Sequence, residues 1–510
     1  MNEHTMRTQL GSPKRTKMVC TLGPASQSQA MIANLIDAGM NVARLNCSHG
    51  DQQTRATIFN NIRTVADSMN RSVAIMVDLS GPKIRVNQIE GGGVDLEVGT
   101  AVTFVRGSQP GTRQALTTTY ENFIDDVNEG ELIFLDDGRI RLLATKKDKD
   151  SLKCSVELGG RLTSKKGINL PGTIISAPSM TEKDRDDMRH GVELGADFFA
   201  LSFVRHPNDI RDLRLELEQL DSKAQIIAKI EKPQALRHLD QIIEESDAVM
   251  VARGDLGIEL PVEKVPAYQK RIILQCRRAF TPVIVATQML ESMIQNPTPT
   301  RAEVSDIANA VDDGCDAVML SAETATGSYP VEAAVTMANV ARDAEQDRID
   351  RMYEIDFARD SGGDPLRKAM VLGAVQIAGP LGAKFIVVRS ETGETARYLS
   401  ELRSSFPVIA VHLDDAVLRR HALMWGVLPV QTDGGHSDIV MQPDMETELH
   451  YLARALLQQK LARTTDHVVV VSRYPWGEQL PPNTIRAMRI DEAIGDDWTG
   501  PVSLRKRKVE

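Results

Sequence analysis

Residues 225–255 read QIIAKIEKPQALRHLDQIIEESDAVMVARGD. An apolar run of strand length, QIIAKIE, is followed by a more polar stretch and then by a second run, DAVMVARGD. Short runs that are apolar on both faces and joined through one helix predict neighbouring buried parallel strands. The same alternation continues in both directions. MVCTLG (18–23), NVARLNC (41–47), VAIMVDL (73–79) and DFFALSF (197–203) precede the pair, and PVIVATQ (282–288) and DAVMLSAET (316–324) follow it. Eight such runs are the number that closes a (β/α)8 TIM barrel, although open doubly wound sheets also reach eight strands.

The interval between the third and fourth runs is too long for one helix. Residues 86–179 carry short alternating runs with Gly-rich turns, such as GGGVDLEVGTAVTFVRG and GELIFLDDGRIRLLATKK. They predict a small β domain inserted into a discontinuous barrel, residues 1–85 and 180–357, whose first 14 residues form a flexible arm. After the linker-like FARDSGGDP, a C-terminal α/β domain is expected over 358–490, with strands AKFIVVRS, FPVIAVH, VLPVQT, HVVVVSR and IRAMRI. A polar tail, 491–510, ends in a short basic run that reads as solvated.

Composition narrows the function. A net charge of −10 argues against coating nucleic acid, which needs a basic face, yet leaves room for a basic pocket that takes a phosphorylated metabolite. Five cysteines without a CxxC pair suit a reduced, cytoplasmic protein without a disulfide frame or zinc site. No apolar run approaches the roughly 18 residues of a membrane span.

In a (β/α)8 barrel the residues at the C-terminal strand ends converge. Lys229 and Glu231 lie two apart on the fifth strand and so share a face. Asp255 follows the sixth strand, where Gly254 and Gly257 predict a tight turn. Glu231 and Asp255 can hold Mg²⁺, with Lys229 opposite charge on a phosphoryl group or enolate and with little expected part in folding. Arg44, Asn46 and Ser48 stand at the second strand end, Asp78 at the third and Thr287 at the seventh. Singly, each has a bland reading as an ion pair, a cap or a strand-end hydroxyl. Together, desolvated charges on successive strand ends call for a shared ligand.

MVCTLGPAS, MNVARLNCSHG, DLSGPKIR, KGINLPG, MTEKDRDDM, AKIEKPQAL, VARGDLGIEL, VATQMLESM and PTRAEVSDIANAVDDGCDAVMLSAETATGSYP follow one another between residue 18 and residue 330. In this order they resemble the signatures of the pyruvate kinase family. The resemblance implies transfer of a phosphoryl group from phosphoenolpyruvate to ADP, giving pyruvate and ATP, in a cytoplasmic homotetramer. It implies that the inserted unit is a β-barrel lid over a catalytic barrel and that the C-terminal domain has a regulatory role. It implies catalytic roles for Lys229, Thr287, Arg44, Ser321 and Glu323, the last two in a water and proton network. Substrate would meet Arg44, Lys229, Thr287, Asp255 and the backbone of Ala252, Arg253 and Gly254. Nucleotide would meet Asn46, His49, Arg85 and Lys183, and Glu231 and Asp255 would ligate Mg²⁺ or Mn²⁺. A monovalent-cation site, for K⁺, would use Asn46, Ser48, Asp78 and the Leu79 carbonyl.

Two stretches depart from the pattern. Where potassium-dependent members read Asp-Thr-Lys-Gly-Pro-Glu, this chain has Asp78-Leu79-Ser80-Gly81-Pro82-Lys83, so the Lys83 ammonium can stand in for the cation. In the C-terminal unit, SETGETARYLSELR opens a helix where the family binds phosphorylated effectors, but Glu391 and Glu394 add negative charge there. The competing readings are a Mg²⁺-dependent pyruvate-type aldolase or lyase, and a catalytically inactive metabolite-sensing homologue. The first would not need the inserted unit, and the second would not need Lys229, Glu231, Asp255 and Thr287 all intact.

Overall fold

A computed structural model describes residues 14–351, 362–389, 392–412, 414–432, 445–474 and 480–494. Residues 357–361 of the expected linker, the first residues of the arm, Glu391 and most of the polar tail lie outside these residues.

Eight parallel strands close a barrel in the order expected of consecutive βα units: Lys17–Thr21, Val42–Asn46, Ala74–Asp78, Phe198–Leu201, Gln225–Ile230, Ala248–Ala252, Val283–Ala286 and Ala317–Leu320, with the last pairing to the first. Each strand is buried on both faces, which is why the runs show no polar alternation. Side chains of one parity, such as Ile226, Ala228 and Ile230, pack outward on the helices. Those of the other parity, such as Val19, Val42, Met76, Ala200, Ile227 and Met250, fill the lumen. The lumen is therefore a packed core, and ligands can be met only at its ends.

Between the third and fourth strands the chain forms a separate β unit. A six-stranded sheet lies beside a two-stranded one, Gly93–Leu96 with Gly160–Thr163, around its own core that includes Phe104, Leu116 and Ile133. The C-terminal unit carries the five expected strands, Phe385–Arg389, Val408–His412, Val427–Gln431, His467–Ser472 and Thr484–Arg489. Four are parallel, and Thr484–Arg489 closes one edge antiparallel to His467–Ser472. Ala422 and Leu423 of this unit pack among the lumen residues and plug the N-terminal end of the barrel. Among the described residues no helix is long and apolar enough to cross a membrane.

Candidate active site

The parity that fills the lumen also builds the site. One step beyond Val19, Val42, Met76, Ala200 and Ile227 along the same faces stand Thr21, Arg44, Asp78, Ser202 and Lys229. Lys229 Nζ donates to Ser202 Oγ at 2.7 Å and Asp78 Oδ1 at 3.2 Å, and lies 3.0 Å from Glu231 Oε1. Arg44 closes the ring, its Nε 2.6 Å from Asp78 Oδ2 and its Nη1 donating to Thr21 Oγ1 at 2.9 Å. Ser202 donates onward to the Leu79 carbonyl at 2.7 Å. Lys229 is thus tied into a buried ion network.

The charges hold one another in their ionised forms. Burial pulls the Lys229 ammonium down, but Asp78 and Glu231 outweigh it and leave its pKa raised. Burial pushes the Asp78 carboxyl up, and Lys229 and Arg44 overcome this and hold it low. Glu231 differs. Burial raises it, the charge of Asp255 raises it further, and neither Lys229 nor the 2.8 Å hydrogen bond from the Phe203 N–H fully offsets them. A carboxylate left short of positive charge beside a second carboxylate is what a divalent cation would complete. No cluster of three or more ligating side chains occurs among the described residues. A divalent ion here would have two protein carboxylates and depend on substrate oxygens for the rest.

Beyond the sixth strand the expected tight turn is instead a helix, Arg253–Glu259, with Gly254 and Asp255 in its first turn. The glycines permit close approach rather than reversal. A Cβ on Gly254 would stand 3.4 Å from Thr287 Oγ1, the atom that accepts the Gly254 N–H at 2.7 Å. Thr287 adopts φ 72°, a strained choice for a β-branched residue, and donates to the Ala286 carbonyl. Its hydroxyl is thereby fixed at the helix start. The Arg253 side chain turns away and braces Asp306 and the carbonyl of Thr287 at 2.7 Å each, leaving its backbone at the site.

The residues expected at the nucleotide and monovalent-cation sites lie at the second and third strand ends and beyond. The Ser48 N–H donates to Asn46 Oδ1 at 3.0 Å, Asn46 Nδ2 meets His49 Nδ1 at 3.2 Å, and Lys83 Nζ donates to Ser48 Oγ at 2.9 Å. Lys83 is an exposed residue whose ammonium reaches this cluster: partial burial and Lys229 lower its pKa while Asp255 and Asp78 oppose them. Burial and the cations Lys83, Arg44 and Arg85 likewise lower the pKa of His49. Arg85 lies at the root of the inserted unit, bonded to the Lys165 carbonyl, and Lys183 reaches the Cys47 carbonyl at 2.8 Å. Glu323 is fully engaged, its two oxygens accepting the N–H groups of Leu290 and Ser321 at 3.1 and 2.7 Å. It shapes the loop that holds Ser321.

Ser202 was missed in the sequence, though the parity of Ala200 to Ser202 on the fourth strand marks it by the rule that marks Lys229. In the C-terminal unit the expected effector stretch forms the helix Glu394–Glu401, and Glu394 is paired with Arg367 and Arg397 at 3.2 and 3.0 Å. The negative charge of Glu394 is thus paired, while Glu391 lies outside the described residues.

Comparison with known proteins closes the question of family. The pyruvate kinase barrel-domain model matches residues 13–334, and the pyruvate kinase alpha/beta-domain model matches 368–488. The chain belongs to the pyruvate kinase family. It is 42% identical over 487 residues to a pyruvate kinase of Staphylococcus saprophyticus, spanning 95% of this chain and 81% of that one. A Staphylococcus aureus pyruvate kinase (strain MRSA252) is 40% identical over 485 residues, with 95% and 82% covered. The crystal structure of a pyruvate kinase from Cryptosporidium parvum superposes with a TM-score of 0.86 at 32% identity, covering 96% of this chain and 98% of the other. As a member of the pyruvate kinase family, the chain transfers the phosphoryl group of phosphoenolpyruvate to ADP. The aldolase reading is thereby set aside.

Proposed function

We propose that this transfer runs at the upper end of the barrel, with Lys229 as its centre. The observation that carries the reading is the buried ring of Arg44, Asp78, Ser202, Lys229 and Glu231, which aims an ammonium held in its charged form at the open end of the lumen. Phosphoenolpyruvate would present its carboxylate to the backbone of Ala252, Arg253 and Gly254 and its phosphate to Arg44 and Lys229. A β-phosphate oxygen of ADP forms the new bond to phosphorus while the bond to the enol oxygen breaks. Lys229 then stabilises the enolate electron pair. A proton drawn from solvent reaches the methylene carbon on the face where Thr287 stands, with Ser321 beside it, and pyruvate results.

Glu231 and Asp255 would hold Mg²⁺ or Mn²⁺, which when bound offsets charge on the carboxylate and phosphate oxygens. Asn46, His49, Arg85 and Lys183 would line the nucleotide side, and the inserted β unit would act as a lid that excludes water. Lys83 would supply in tethered form the charge that potassium brings to relatives, beside Ser48 and Asp78. We further infer a cytoplasmic homotetramer with a phosphorylated effector in the C-terminal unit, by family resemblance.

The test is a coupled pyruvate assay with ADP and Mg²⁺, with and without potassium, followed by the same assay on Lys229→Met. Turnover that needs ADP and is lost in that variant is expected. Turnover that persists in Lys229→Met would remove Lys229 from the centre.

A further inference from the structure

KGINLPG, residues 166–172, has no part in the chemistry above. Its strand, Ile168–Asn169, pairs antiparallel with Leu132–Leu135 and so belongs to the body of the inserted unit. Asn169 Nδ2 nevertheless leaves that unit and donates to Glu259 Oε1 of the barrel at 3.2 Å. This is one of several hydrogen bonds between the inserted unit and the barrel, beside those from Gln234 to the Thr173 carbonyl and from Arg205 to the carbonyls of Ile175 and Ala177, and its acceptor, Glu259 Oε1, belongs to a carboxylate rather than a carbonyl. The same oxygen accepts the ammonium of Lys232, and side-chain exposure is 7% for Lys232 and 1% for Glu259. Glu259 Oε2 is buried and has no protein partner among the described residues.

A buried ion pair is a weak source of stability once its desolvation is counted, so its placement matters more than its presence. Here both partners adjoin the carboxylates assigned to the metal. Lys232 follows Glu231 directly, and its ammonium sits 5.5 Å from the ring centroid of Phe203, whose N–H holds Glu231. Glu259 ends the helix that begins with Gly254 and Asp255, and it lies four residues after Asp255, on the same face. Through Asn169 the inserted unit thus touches a carboxylate that is coupled to both sides of the site.

We propose that Asn169, Glu259 and Lys232 form a latch that holds the inserted unit over the site and sets the spacing of Glu231 and Asp255 beneath it. The three are positioning residues, and the idea rests on the roles given to Glu231 and Asp255 above. A hydrogen bond to a charged acceptor shifts an equilibrium roughly ten- to hundredfold, enough to decide whether the unit is docked.

Asn169→Ala removes the donor from the lid and leaves the buried ion pair intact. With phosphoenolpyruvate and Mg²⁺ present, deuterium uptake at the amides of 168–172 should rise, and kcat should fall about tenfold while KM for phosphoenolpyruvate stays within about twofold. Asn169→Asp, which sets a second carboxylate against Glu259, should lower kcat further. The proposal requires uptake and kcat both to move in Asn169→Ala. If either is unchanged the latch is overturned, whatever the melting temperature does. Failure of the underlying reading looks different: Glu231→Gln and Asp255→Asn would then leave Mn²⁺ affinity unaltered.

Discussion

The two ends of the barrel carry matching networks of buried charge put to opposite uses. At the upper end Arg44, Asp78, Lys229 and Glu231 interlock beneath the site. At the lower end Arg403 joins Asp316 at 2.9 Å and Glu401 at 3.5 Å, and Arg277 reaches Glu401 at 3.3 Å. Asp316 also accepts the N–H groups of Val283 and Trp425, so one carboxylate ties the seventh strand, the eighth strand and the C-terminal unit together. Arg419 makes the corresponding contact to Asp197 at the fourth strand. The lower network closes on fixed protein partners, with Ala422 and Leu423 sealing the lumen beside it. The upper network ends in Glu231, whose carboxyl pKa stays raised at the open end of the lumen, whereas Glu401, raised as well, is buried between the barrel and the C-terminal unit. Burial of charge alone therefore does not mark an active site. An uncompensated remainder at the open end of the lumen does.

If this contrast holds, substitutions at the upper end should change rate more than stability, and those at the lower end the reverse. The largest effect is expected for Lys229→Met, with phosphoryl transfer falling by on the order of 10³-fold or more. Some stability should go with it, because Glu231 loses its ammonium while Asp78 keeps Arg44. Steady-state kinetics together with a denaturant titration separate the two terms. Next is Arg403→Met. It leaves Asp316 and Glu401 short of their buried cation and should destabilise the chain by about 3–5 kcal/mol, with kcat in the surviving folded fraction within about twofold. Loss of rate without loss of stability in this variant would break the comparison.

The upper end was largely legible in the sequence and the lower end was not. Lys229, Glu231, Asp78 and Arg44 sit on strands whose apolar runs announce them, and the parity of a strand fixes which side chains converge. The same rule reaches Ser202. Thr287 was found, but its positive φ was not, because nothing in VATQ demands it. The helix at Arg253–Glu259 was read as a turn because two glycines outweighed a short helical segment whose stability comes from packing. Asp316, Glu401 and Arg403 lie on separate segments and meet only when the C-terminal unit docks. SETGETARYLSELR was read for its first residues, whereas its last ones, Glu401 and Arg403, bind the barrel.

A smaller effect tests the cation side of the upper network. Lys83 donates to Ser48 and lies near enough to Asp78 and Asp255 to feel both charges. A tethered charge needs no binding equilibrium, so the parent enzyme should work in buffer free of sodium and potassium. Lys83→Glu replaces the ammonium with a carboxylate. Its activity without potassium should fall about tenfold and recover as potassium is added. A parent enzyme that stays inert until potassium is supplied would show that Lys83 does not replace it.

The smallest effect concerns pH and the lower network. Burial pushes the Glu401 carboxyl up and Asp316 adds to the rise, while Arg403 and Arg277 oppose it; the result is a pKa of about 7 against an ordinary 4.5. Between these two values the folded chain holds a proton at Glu401 that the unfolded chain has released. Stability must then decline as pH rises through that window, because the folded state binds the extra proton. Other groups contribute slopes of their own, so the informative quantity is the difference between the parent and Glu401→Gln, which cannot titrate. From pH 5 to pH 8 the parent should lose on the order of 1 kcal/mol relative to the variant, read from urea midpoints at constant slope. Parallel profiles would mean that the two arginines hold Glu401 ionised throughout. The lower network would then be a fully charged lattice, and its contrast with the upper end would rest on its closure alone.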